Sequence, residues 1–335
     1  MAMNTQEGFP EKGTLRDQVL FALRYVVRAP STHNSQPWLF HFNDSTLSIY
    51  ADWSRMMKES DRDGRDLCIS LGTCIEHSKT TFTHFGMLEK LSINESFEIG
   101  DTEPIATLTL HPSTDKDAFL FPFMQAIERR FNARGPFVKK MIPSDLMRTI
   151  IEVTEPGVTI QVITDDTQLL TFASLTGEGM RVAHRDPKFR EELAKWMINN
   201  YSKKKDGIPG YTMLAPGLLS LILPTIIGKF NMGGLLSKLN YASISSSSGT
   251  IIFSSEERPS SWVHVGIAYA RISLILNAYS VFTSVFVASI EMPEIRTHLK
   301  ELLQIAGLPQ FACVFGYPKI TLRQSPRIPP EDRMI

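Results

Sequence analysis

Two segments, residues 64–86 (GRDLCISLGTCIEHSKTTFTHFG) and 262–280 (WVHVGIAYARISLILNAYS), read as long helices, apolar around most of their circumference and each carrying an internal glycine. A helix without a polar face must be covered on all sides, so both belong inside the protein. The pattern around them repeats weakly. The first part runs helix, loop, strand, strand, long helix; the second runs helix, strand, helix, insertion, long helix. Two similar halves in one polypeptide suggest a fused version of something that is elsewhere a dimer. A chain of 335 residues can bury the core this requires.

Charge excludes several classes of function. Lys+Arg and Asp+Glu are both 35, so no bulk field attracts nucleic acid or an acidic membrane, and a bound anion must meet a local basic cluster. Three cysteines (Cys68, Cys74, Cys313) are too few for a disulfide framework, which suits a reducing cytoplasm. The first twenty residues carry charges where a secretory signal would be apolar, so a cytoplasmic location is expected.

The remaining pattern is mixed. Residues 14–28 form an amphipathic helix, and 37–42 and 46–52 two strands about an Asn43-Asp44 turn. A strand at 105–112, a helix at 117–130, a strand at 158–165 and a helix at 166–183 follow. Asp186-Pro187 caps and opens another helix. Further on, residues 293–305 read as a helix and 311–318 as a strand. Residues 207–228 carry no charge and approach the length of a membrane span. Pro209, Pro216 and Pro224 break them, so a buried or lid-like insertion is expected rather than a stable span. Residues 243–250, SISSSSGT, read as a polar hinge.

Three clusters carry candidate chemistry. The loop APSTHNSQPW, residues 29–38, offers hydroxyls and amides held between prolines, an inventory for the edge of a planar heterocycle. It could equally be a rigid turn with Trp38 filling core. In RRFNARGPF, residues 129–137, three arginines crowd the end of a helix. One or two would complement the helix dipole; three with an asparagine lean towards an anion site. The tail FGYPKITLRQSPR brings Lys319, Arg323 and Arg327, and its default reading is a solvated basic tail. TGEGMR lacks the third glycine of a dinucleotide fingerprint, and Cys68, Cys74 and His77 do not converge as metal ligands, so no metal site is expected.

Together and in this order the three clusters resemble the FMN-dependent nitroreductases. The order and the length are similar to the Acg-like branch, first described in mycobacteria. The resemblance implies an α+β nitroreductase-like fold, with two halves fused as an intramolecular pseudo-dimer of antiparallel sheets flanked by helices. The first half would be residues 1–112. The second, 113–335, would hold the Arg segment, an insertion at about 200–250 and the basic tail. Under that resemblance Arg130 and Arg327 bind the FMN phosphate, with Arg323 as helper, and Arg134 approaches the pyrimidine end of the ring. Pro30 packs beside the ring, Ser31, Asn34 and Gln36 belong to the loop against it, and Asn132 stands where the family often has Ser or Thr. Neither half repeats the other's motif, so one FMN per chain is expected. No side chain need act as a catalytic acid or nucleophile. The implied activity is hydride transfer from NAD(P)H through FMN to a nitro compound or quinone. The alternative is a flavin-sequestering or redox-sensing protein whose lid is the apolar insertion. A monomeric pseudo-dimer or a loose homodimer follows.

Overall fold

The two long helices cross each other at their glycines. In the computed structural model, which describes residues 8–335, α1 is Leu15–Val26, α2 Arg65–His84, α3 Phe121–Arg129, α4 Ser144–Ile151 and α5 Asp166–Ala183. Then come α6 Pro187–Trp196, α7 Gly217–Lys229, α8 Gly233–Ser245, α9 Pro259–Ala278, α10 Ala288–Glu291 and α11 Pro293–Leu302. At the α2–α9 crossing a Cβ on Gly72 would strike the Val263 carbonyl oxygen, and one on Gly266 the Ile69 carbonyl oxygen. Only hydrogen fits at either position. The first seven of the twenty residues read for a leader lie outside the described residues.

Nearly all of α2 and α9 is buried, so their polar groups need partners inside. Ser70 and Ser78 donate back to the carbonyls of Asp66 and Cys74. Arg271 on α9 forks onto Glu76 of α2 at 2.9 and 3.1 Å, and its other nitrogen meets Glu155 at 2.9 Å. His264 lies 2.7 Å from Glu155 and 2.9 Å from Glu95. Hydrogen bonds from those carboxylates, the Glu155 bond foremost, raise the His264 pKa against the opposing pull of burial.

Two antiparallel sheets flank the crossed pair. One contains β1 Trp38–Asn43, β2 Thr46–Ala51, β3 Leu88–Ile93 and β4 Ala106–Leu110 in the order β1-β2-β4-β3. The minor strands are β5 Phe137–Val138, β7 Met197–Ile198 and β8 Ile208–Pro209; the major ones of the second sheet are β6 Thr159–Ile163, β9 Gly249–Ser254, β10 Phe282–Val285 and β11 Pro309–Pro318. Their order is β10-β11-β9-β6, with β5 on the end of β11. The fold is α+β, as expected. One apolar core runs from Phe9 to Phe315 through both sheets and both crossed helices.

Two expectations need correcting. The polar hinge is the end of α8 followed by β9, a strand buried at every position between β6 and β11. The basic tail is only partly solvated: Lys319 and Arg323 are exposed and Arg327 is half-buried, while Arg333 pairs with Asp52 at 2.8 Å and the Ile335 N–H donates to the Phe40 carbonyl at 2.9 Å. The apolar insertion forms two helices, α7 against α6 and α8 against α5, turned 113° from each other. Among the described residues no single helix is long and apolar enough to cross a membrane, though this bent pair meets the length and composition test together.

Candidate functional site

The proline-flanked loop is held open by α2. Thr73 donates to the Pro30 carbonyl at 2.5 Å, and Ser70 Oγ accepts from the Thr32 N–H at 3.1 Å. Ser31 Oγ accepts from the Gln36 N–H at 3.0 Å, closing the turn on itself. His33, Asn34 and Gln36 all take positive φ, at 51°, 57° and 52°. Three non-glycine residues in that region within four positions are costly, and such strain persists where the surroundings over-determine it.

The arginine segment leaves α3 at Arg130, whose N–H still donates to Ala126. Asn132 Oδ1 accepts from the Val285 N–H at 3.0 Å, so Nδ2 is the atom left for a ligand. The tail crosses above both. Arg327 donates to Asn34 Oδ1 at 2.7 Å, while its Nε is buried with no partner. Gln324 donates to the carbonyls of Glu128 and Arg130, clamping the tail to the arginine segment.

These segments enclose a cavity of about 270 Å³, near the lower end of small-molecule pockets. Pro30, Ser31 and Asn34 line it from the loop; Arg130, Asn132 and Arg134 from the arginine segment; Arg323 and Arg327 from the tail. Gln36 does not. Its amide is fully buried, donates to the Lys205 carbonyl at 2.8 Å and accepts from the Ile328 N–H at 2.9 Å. It braces the loop instead of facing the cavity. Arg129 is exposed and bonds back to Gln125.

The cavity is electrically divided. At one end Arg28, Arg130, Arg323 and Arg327 have no carboxylate within ion-pair distance among the described residues. Burial, then repulsion from Arg130 and Arg28, pushes the Arg327 pKa down, and burial depresses Arg130 likewise. Burial also lowers His33 to about 4, with nearby Arg134 adding to it. At the other end stand Asp66 and Glu291, both with raised pKa; burial is the chief cause, and Asp66 further raises Glu291. Arg28, Asp66, Glu291 and Tyr269 line the cavity without having been singled out in the sequence. Arg28 stood directly before the loop, where a third basic element could have been sought.

No family model matches the chain. The putative NAD(P)H nitroreductase Acg of Mycobacterium tuberculosis is 27% identical over 212 residues, covering 62% of this chain and 61% of that protein. The putative NAD(P)H nitroreductase Rv3131 of the same organism is 26% identical over 196 residues, covering 58% and 54%. The chain thus spans little more than half the length of these curated relatives. The FMN-dependent nitroreductase NfnB from Mycobacterium smegmatis, solved in complex with NADPH, superposes with a TM-score of 0.36 at 16% identity, over 61% of this chain and 94% of that one. The chain is thus similar, over a little more than half its length, to the Acg and Rv3131 proteins of Mycobacterium tuberculosis, both named putative NAD(P)H nitroreductases.

Proposed function

We propose that the cavity binds one FMN per chain and that the protein is an NAD(P)H-dependent flavin oxidoreductase acting on a small oxidised acceptor, a nitro compound or a quinone. The observation that carries this reading is a set of four arginines without carboxylate partners at one end of a cavity walled by a polar loop. Like charges crowd in this way where an anion is to be held, and guanidinium forks suit phosphate. The unpartnered Arg327 Nε and the free Asn132 Nδ2 add two donors to that end.

The residues fit the nucleotide. Arg130 and Arg327 would hold the phosphate with Arg28 and Arg323 beside them. Ser31 and Asn34 would bond the ring or ribityl, Pro30 would pack against it, and Arg134 would set positive charge near the pyrimidine edge. Bound FMN supplies the capacity to take up and pass on a hydride. The chain supplies alignment and excludes water. Glu291, raised to about 8 chiefly by burial, keeps a proton on a carboxyl oxygen near neutral pH at the opposite end, and burial raises the Asp66 pKa beside it. Two nitroreductase-like halves meeting at residues 112 and 113 remain part of the proposal, supported by one antiparallel sheet on each side of that point.

The test is the purified full chain: a yellow protein with one extractable FMN, and an Arg130→Met variant that is colourless. A colourless unaltered protein that takes up no FMN would overturn the reading. A sequestering role is favoured by one feature: the insertion reaches the cavity through Ile208 and Thr212, and Tyr211 donates to the Gln324 carbonyl at 3.0 Å. Anaerobic NADPH separates the two, since rapid bleaching marks the oxidoreductase and persistent colour marks storage.

A further inference from the structure

Ten of the twenty exposed large apolar side chains among the described residues fall within residues 201–241, far more than chance scatter along the chain would put there. Leu218, Leu221 and Ile222 on α7 are 79%, 50% and 54% exposed; Leu235 and Leu239 on α8 are 52% and 57%; Phe230 at the bend is 62%. Their spacings of three and four residues put each group on one helix face. The opposite faces are already used: Ser220 and Ile227 are buried on α7, which packs on α6, and Gly233, Ser237 and Ile244 on α8, which packs on α5. An apolar corner of this size on an otherwise well-packed protein is an interaction surface.

Its charge chooses the partner. From residue 207 to 255 there is no Asp or Glu, and the two charged residues, Lys229 and Lys238, are exposed. Lys203, Lys204 and Lys205 stand exposed just before this stretch. Among the described residues only Lys116 and Lys139 are ion-paired lysines, so all five rim ammonium groups are uncompensated. A second copy of the chain would bring lysine against lysine. An anionic bilayer surface instead receives the apolar side chains at the headgroup boundary and pairs the ammonium groups with lipid phosphates. The 113° bend between two short helices suits lying on a surface.

We infer that the α7–α8 corner seats this protein on an anionic lipid surface. The same insertion lines the cavity through Ile208 and Thr212, so the docked face and the cavity wall belong to one segment. This inference goes beyond the flavin reading and does not rest on it.

Flotation of the full chain with phosphatidylglycerol vesicles tests it, with phosphatidylcholine vesicles as the neutral comparison. Binding to the anionic vesicles alone, weakened by salt, is expected. Replacing Lys203, Lys204 and Lys205 together by Gln should weaken it ~100-fold. Leu218→Gln with Ile222→Gln should weaken it at least ~10-fold, with the melting transition unchanged. If that pair lost its melting transition, Leu239→Gln on α8 must weaken binding in its place. Absence of binding by the unaltered chain, or equal binding by all variants, overturns the inference. So does a dimer in sedimentation equilibrium that Leu218→Gln dissolves while vesicle binding stays intact.

Discussion

Two groups of cationic side chains in this protein follow opposite rules. Behind the α2–α9 crossing Arg271 is held by Glu76 and Glu155, and His264 by Glu155 and Glu95, each carboxylate within 3 Å. In the cavity Arg28, Arg130, Arg323 and Arg327 meet carbonyls, an amide, an aromatic ring and one another. The guanidinium chemistry is the same, and Arg271, Arg28, Arg130 and Arg327 are all partly buried. What differs is whether the countercharge comes from the chain. Where it does, the arginine holds helices together; where it does not, the fold leaves positive charge for something else to neutralise. Counting arginines would not have separated these roles.

The sharpest way to break the comparison is to remove the paired arginine. Arg271→Met strands the almost fully buried Glu76 and leaves Glu155 with His264 alone, and should cost about 3 kcal/mol in urea unfolding. Arg130→Met should leave the flavin-free protein within ~0.5 kcal/mol of its original stability or slightly above it, because a repelled charge is gone. The same change should weaken phosphate or FMN binding roughly tenfold or more. If both substitutions destabilise alike, the distinction fails.

Acidity sharpens it further. The raised pKa of His264 means that its pairing contributes fully below its ordinary pKa of ~6.5 and is lost as pH rises through the higher folded value. His33, depressed to about 4 by burial, has the opposite sign: its neutral form stabilises above ~6.5, and that contribution drains as pH falls towards 4. Thermal melts across pH should therefore lose their alkaline-side decline in His264→Gln and keep their acid-side decline. The smallest effect belongs to Lys139, paired with Asp166 at 2.6 Å but with both side chains more than half exposed. Lys139→Ala should shift stability by less than about 0.5 kcal/mol. A larger loss would mean that pairing alone, without burial, suffices.

Much of this was legible in the residues. The 166–183 helix is found over the expected residues, and in the structure Asp165 caps it by accepting from the Gln168 N–H. The loop, the arginine segment and the tail were each visible, and they meet at one cavity. Other features left no trace. β9 is buried along its whole length, so it lacks the alternation that marks a strand, and the serines before it resemble a linker. Gln36 looked like a ligand group, but its orientation depends on Lys205 and Ile328, contacts that span much of the chain. Asp66 and Glu291 are separated by more than two hundred positions, and the burial that raises both pKa values exists only after folding.

The hydrogen bond between Asn34 and Arg327 joins residues 293 positions apart. Closing so long a loop adds little to the equilibrium cost, which grows only with the logarithm of its length, but such contacts form late and slowly. The cavity is therefore sealed by contacts between the two ends of the chain. A small anion bridging that seam would act as a latch, slowing the departure of the far end of the chain without adding a single contact to the core.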